Sequence, residues 1–140
     1  MAFSEITTAD IITQEGTFAF DYDCSGTVYA GQGVYAIGTM QVKAPGTTDL
    51  QHGCVGVAAY GQTDGKPVAV YGPGNIVNVR VSGTSTVAGD SLSLTKDGEF
   101  VEIAARGEYG SGTGAFASGV SAIALETQGT DSGIVRVLLI

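Results

Sequence analysis

A chain of 140 residues fits one domain, and at that length folding buries about two-thirds of the unfolded surface, enough for a core without metals or disulfides. Charge is sparse, at 14% of residues, and one-sided: fourteen acids against six bases give −8, which argues against a nucleic-acid partner because phosphate affinity comes from Lys and Arg clusters. The 22 glycines, about twice average usage and without a three-residue period, mark the many tight turns of an all-β chain and leave no room for a long helix.

The first residues, MAFSEITTAD, carry neither a basic leader region nor a continuous apolar stretch. The expectation is synthesis and retention in a cytoplasm, where Cys24 and Cys54, the only cysteines, stay reduced. No apolar run approaches the roughly 20 residues that span a bilayer, so no membrane is expected.

Residues 1–16 have mixed polarity; Ile6, Ile11 and Ile12 follow neither a helical nor a strand period, and the segment reads as an extended arm. Its acids, Glu5, Asp10 and Glu15, belong to a group of five, with Asp21 and Asp23, that precedes the first base, Lys43. An acidic segment of this kind suits a basic partner surface or simple solubility. Residues 17–140 read as a single β domain. TFAFDY places Phe18, Phe20 and Tyr22 on one side of a strand; GTVYAGQGVYAIGTMQVKAP holds two strands broken at Gly31–Gly33. Residues 46–53 form a polar loop before CVGVAAYG, a small-apolar run suited to burial on both faces. Asp64-Gly65 marks a hairpin turn into PVAVY, and IVNVRV, SLSLT and EFVEI follow in order, punctuated by GPGN, AGD and KDG.

In RGEYGSGTGAFASG five of fourteen residues are glycine, too many to sustain strand pairing. It reads as a long loop or a segment ordered by a partner. GVSAIALE resumes the alternation, and IVRVLLI must be tucked into a sheet, because left free it would expose a run of aliphatics. About ten short strands at spacings near ten residues suggest a small Greek-key-like sandwich or partly open barrel.

The constellations that could carry chemistry are few. Asp21, Asp23, Ser25 and Gly26, with Val28, match the first eight positions of an EF-hand calcium loop, but the twelfth position is Gln32, which cannot supply two anionic oxygens, and flanking helices are absent. The same residues build an ordinary turn, so Asp21, Asp23 and Ser25 are a weak metal candidate and no cofactor is expected. His52 near Cys54 lacks the orienting third group of a nucleophile pair. GPGN, GKP and GSGTG lack the strand-to-helix context of phosphate loops. The acid pairs Glu99 with Glu102 and Asp90 with Asp97 fit exposed strand and turn positions without invoking glycoside hydrolysis. No enzyme activity is expected.

From Cys54 onward the chain resembles small capsid decoration, or cement, proteins of tailed viruses and a related uncharacterised phage family. The matching positions are Asp64, Gly65, Val68 and Val70 in a hairpin, then Ala88, Gly89, Asp90, Leu92, Leu94, Asp97 and Gly98 in a turn-strand element, then Gly119, Ala124, Leu125, Val135, Val137 and Leu138. The resemblance covers about 85 residues, most of them turn glycines and strand aliphatics. It implies a β-rich protomer that trimerises on the outer surface of an icosahedral bacteriophage shell, stabilising the major capsid protein, with assembly in the host cytoplasm. An N-terminal arm would reach the shell. Under that reading Phe3, Glu5, Ile6, Asp10, Ile11, Ile12, Glu15, Tyr109 and Phe116 are the contact candidates, while Phe18, Phe20, Tyr22, Tyr29, Tyr35 and Met40 fit the core better than an interface. The competing reading is a β-sandwich binding module for glycans, or one linked to calcium, on a virion or cell surface. A small hydrolase using Cys54, His52 or an acid pair stands third.

Overall fold

The alternating runs assemble into two sheets. The computed structural model describes residues 3–11, 18–46, 54–82, 86–102, 120–130 and 132–140. Strands β1 (Ala19–Cys24), β2 (Gly33–Gly38), β3 (Gln41–Lys43), β4 (Cys54–Ala58) and β5 (Pro67–Tyr71) close into a barrel in the order β1-β3-β2-β4-β5. Only β1 and β3 pair in parallel. Strands β6 (Ile76–Arg80), β7 (Ser91–Leu94), β8 (Phe100–Glu102), β9 (Ala122–Ala124) and β10 (Ile134–Leu139) form the second sheet, ordered β6-β10-β9-β7-β8. A parallel bridge from Val81 to Phe100, with the Ser82 amide donating to the Phe100 carbonyl at 2.7 Å, brings the end of β6 against the start of β8. The expected all-β domain of about ten strands is thus present, and the aliphatic run at residues 134–139 is tucked in as an inner strand between β6 and β9.

Period-two alternation gives the molecule two cores. Cys24, Val28, Val34, Val42, Ala58, Val68 and Val70 fill the barrel. Tyr35, Val57 and Tyr71 point out of the same strands into the other core, against Val77, Val79, Leu92, Phe100, Val135 and Val137 of the second sheet. CVGVAA is therefore packed on both faces because β4 is a wall between two cores, whereas Tyr60 and Gly61 beyond it are exposed. Gly56 makes that wall possible. It sits where the β2–β4 register slips, and a Cβ there would stand 2.0 Å from the Tyr71 carbonyl oxygen, a backbone atom that cannot move aside.

The amino-terminal segment departs from the sequence expectation. It is no extended arm: Phe3, Ile6 and Ile11 are buried, with Ile6 and Ile11 in the core between the sheets, and Thr8–Ile11 form one turn of helix, α1. Burying each such side chain contributes about 1.5–3 kcal/mol, a gain no free arm would give up. Their spacing fits neither period because each residue fills a separate gap. The aromatic assignments also divide. Tyr35 is buried, Tyr22 and Tyr29 are half-buried, and Phe18, Phe20 and Met40, expected inside, are largely exposed.

Because Ile6 is core, Ile6→Ala should lower stability by about 2–5 kcal/mol. A urea titration reads this as a lower midpoint at unchanged slope. An unchanged midpoint would restore the free-arm description.

Candidate contact surface

Hydrogen bonds from one side chain fix the segment that carries the exposed acids and link it to Ser132. Arg80, at the end of β6, donates through Nε to the Ser4 carbonyl at 3.0 Å, through Nη2 to the Glu5 carbonyl at 3.3 Å and through Nη1 to the Ser132 carbonyl at 2.8 Å. The Ile6 amide donates to the Ala30 carbonyl at 3.0 Å, and Asn78 Nδ2 to the Asp10 carbonyl at 2.7 Å. Residues 4–10 are thereby tied to the barrel on one side and to β6 on the other.

This placement turns the Glu5 carboxylate toward the barrel loops, where Oε2 accepts the Ala30 amide at 3.1 Å. Beside it opens a pocket of about 240 Å³ lined by Glu5, Thr27, Tyr29, Gly61, Gln62 and Thr63. Two short chain segments build its walls, held to each other by the paired backbone bonds between Val28 and Gln62, both 3.0 Å. Asp64, next to the rim, accepts the Gly26 amide at 2.8 Å.

Of the contact candidates, Glu5 and Asp10 are exposed, whereas Phe3, Ile6 and Ile11 are inside the protomer and are withdrawn as contacts. Ile12, Glu15, Tyr109 and Phe116 lie outside the described residues, as do His52 and the glycine-rich loop. Thr27, Gly61, Thr63 and Arg80 were not legible as site residues: turn threonines and glycines carry no signal, although a lone arginine between Val79 and Val81 in a strand was a cue to a specific partner.

An exposed aromatic pair lies elsewhere on the barrel. Phe20 is directly opposite Val70, so it shares the inward face of β1, yet it stands where that face opens to solvent. Phe18 and Phe20 meet edge to face, ring centroids 5.7 Å apart at 81°, while remaining 49% and 58% exposed. Asn75 holds this end in place, its side chain accepting the Phe18 amide at 3.1 Å and donating to the Phe18 carbonyl at 2.9 Å.

The calcium-loop residues are split between a strand and the bend after it, which holds Ser25 and Gly26. Asp21 and Asp23 lie within β1, paired with Ala69 and Pro67, and Gln32 is a buried strut whose amide donates to the Asp97 carbonyl at 2.8 Å and accepts the Tyr29 amide at 3.0 Å. Among the described residues no group of three or more His, Cys, Asp or Glu is placed to hold a metal. The acid pairs have local work: Glu99 accepts the hydroxyls of Ser82 and Ser132, each at 2.8 Å, and Asp90 accepts the Val87 amide at 2.8 Å. Cys24 and Cys54 are free thiols belonging to different cores. Burial raises the Cys54 thiol to about 12, only partly offset by hydrogen bonds to Gly56 and Ser121. At neutral pH it is a protonated core group, unsuited to nucleophilic work.

Among the described residues the architecture is small and all-β, joining a closed five-stranded barrel to a second five-stranded sheet. No protein family matches the chain, and no curated protein does. The crystal structure of the head fiber gp8.5 N base in bacteriophage phi29 has a similar fold: TM-score 0.55 at 20% identity, covering 87% of this chain and 92% of that one.

The buried thiol has a pH signature. The folded Cys54 keeps its proton to higher pH than the unfolded chain does, so its contribution is full below pH 9.0 and is lost as pH rises toward about 12. Across that window unfolding free energy should fall by up to about 1.4 kcal/mol per pH unit from this group. Urea titrations of Cys54→Ala should show a shallower decline, the residue coming from Cys24 and Tyr71, which burial also raises. Identical declines in the two proteins would remove Cys54 from the explanation.

Proposed function

We propose that this chain is a structural component of a phage virion that binds the outer surface of the major capsid protein shell, as a trimer, and stabilises it. The observation that carries the reading is the fold likeness to a head fiber base over nearly the full length of both chains. The resemblance of the strand and turn pattern from Cys54 onward to decoration proteins points the same way, and the acidic surface suits a basic partner. In this reading the chain catalyses nothing. Coat proteins act through many weak contacts, each protomer being held by its neighbours, so a rigid two-core protomer is what the role requires.

Phe18 and Phe20 supply the self-association face in this proposal, since aromatics are enriched at interface centres. The competing binding-module reading gains no support for its calcium variant from Asp21 and Asp23, which lie in β1 instead of a ligand loop.

Light scattering should give three times the protomer mass, and the protein should sediment with matching shells and raise their melting temperature. Phe20→Ser should weaken the trimer while leaving protomer stability within about 0.5 kcal/mol, as for other exposed positions. A monomer that leaves shells unbound would end the proposal.

A further inference from the structure

We propose that the pocket beside Glu5 receives the cationic tip of a lysine or arginine side chain presented by the protein partner; this rests on the contact reading above and names the chemistry of the contact. Size comes first. Pockets for drug-sized ligands run from about 300 to 1,000 Å³; this one is an open depression of about 240 Å³, which a single side chain is enough to fill.

Charge selects which side chain. Among the described residues Glu5 is the carboxylate in the lining and no base lines the pocket, and the chain as a whole carries −8. The Glu5 carboxylate gives one acceptor position to the Ala30 amide, of the roughly four that a carboxylate offers. Gln62 is not the recognising group, because Oε1 takes the Thr63 amide and Nε2 donates to the Pro67 carbonyl, both at 3.0 Å. The half-buried Tyr29 and the exposed Thr27 and Thr63 also line the pocket, residue types whose ring and hydroxyls suit a cationic guest.

Access and preorganisation complete the case. A Cβ at Gly61 would come 3.1 Å from Glu5 Oε2, the oxygen that accepts the Ala30 amide, so glycine at this position leaves room for that contact. The Glu5 backbone is already fixed by Arg80 and by the Ile6–Ala30 bond. A cation entering the pocket therefore meets an ordered acceptor, without the entropic cost of arranging one.

The test uses the full chain labelled with nitrogen-15 and titrated with N-acetyl-arginine amide and N-acetyl-lysine amide, with N-acetyl-citrulline amide as the neutral analogue. Saturable shifts of the Ala30 and Gly61 amides are expected with the two cations and not with citrulline. Glu5→Gln, which keeps an acceptor for the Ala30 amide, should weaken binding about tenfold or more. Thr63→Arg, which offers the pocket a guanidinium from its own chain, should block it with the fold intact. Absence of localised shifts in the wild type, or equal binding by Glu5→Gln, would overturn the proposal. No shells are present in this titration, so its failure leaves the sedimentation result standing. Failure of sedimentation alongside intact arginine binding would strike the capsid reading instead.

Discussion

The guanidinium of Arg80 organises the face of the protein that looks outward. Its five donors lie in a fixed fork, and three of them reach carbonyls in two distant parts of the chain, Ser4 and Glu5 in one and Ser132 in the other. Lysine could not make the same set from one position. Through these bonds the amino-terminal segment acquires a fixed path, Ile6 and Ile11 reach the core between the sheets, and the Glu5 carboxylate arrives beside the barrel loops. The pocket exists because the segment is held.

What the segment is held against matters equally. Strands β2, β4 and β5 each present one face to the barrel interior and the other to the second sheet, so the two cores share walls and neither sheet is an independent module. Close packing makes such a wall intolerant of small errors. Gly56, jammed against the Tyr71 carbonyl, shows how little space remains between β4 and β5. A body built this way deforms little under load, which is what a shell-stabilising coat would need.

Much of this was readable from the amino-acid order. Where one face of a strand is buried, alternation reports it directly, which is why PVAVY, IVNVR, SLSL and IVRVLL appear where the pattern places them. The double burial of CVGVA was legible for the same reason. Two kinds of residue escaped. Phe3, Ile6 and Ile11 fill gaps set by the tertiary arrangement, and no local period encodes that. Phe18 and Phe20 sit on the inward face of β1 by alternation, yet the core ends before reaching them, a fact about barrel length rather than about their own hydrophobicity. The pocket was hidden for a third reason: its walls are turn residues brought together by a bridge between Val28 and Gln62.

Placed on a shell, the molecule has two distinct surfaces, an aromatic end at Phe18 and Phe20 and an acidic pocket at Glu5, and the proposal gives the first to self-association and the second to the capsid. The most direct measurement is a cryo-electron microscopy reconstruction of matching shells saturated with this protein. The expected map has three-fold clusters of protomers with the Thr27–Tyr29 and Gly61–Thr63 loops turned toward the shell and a lysine or arginine of the capsid protein entering beside Glu5. Shells without added density, or protomers with that face turned to solvent, would contradict it.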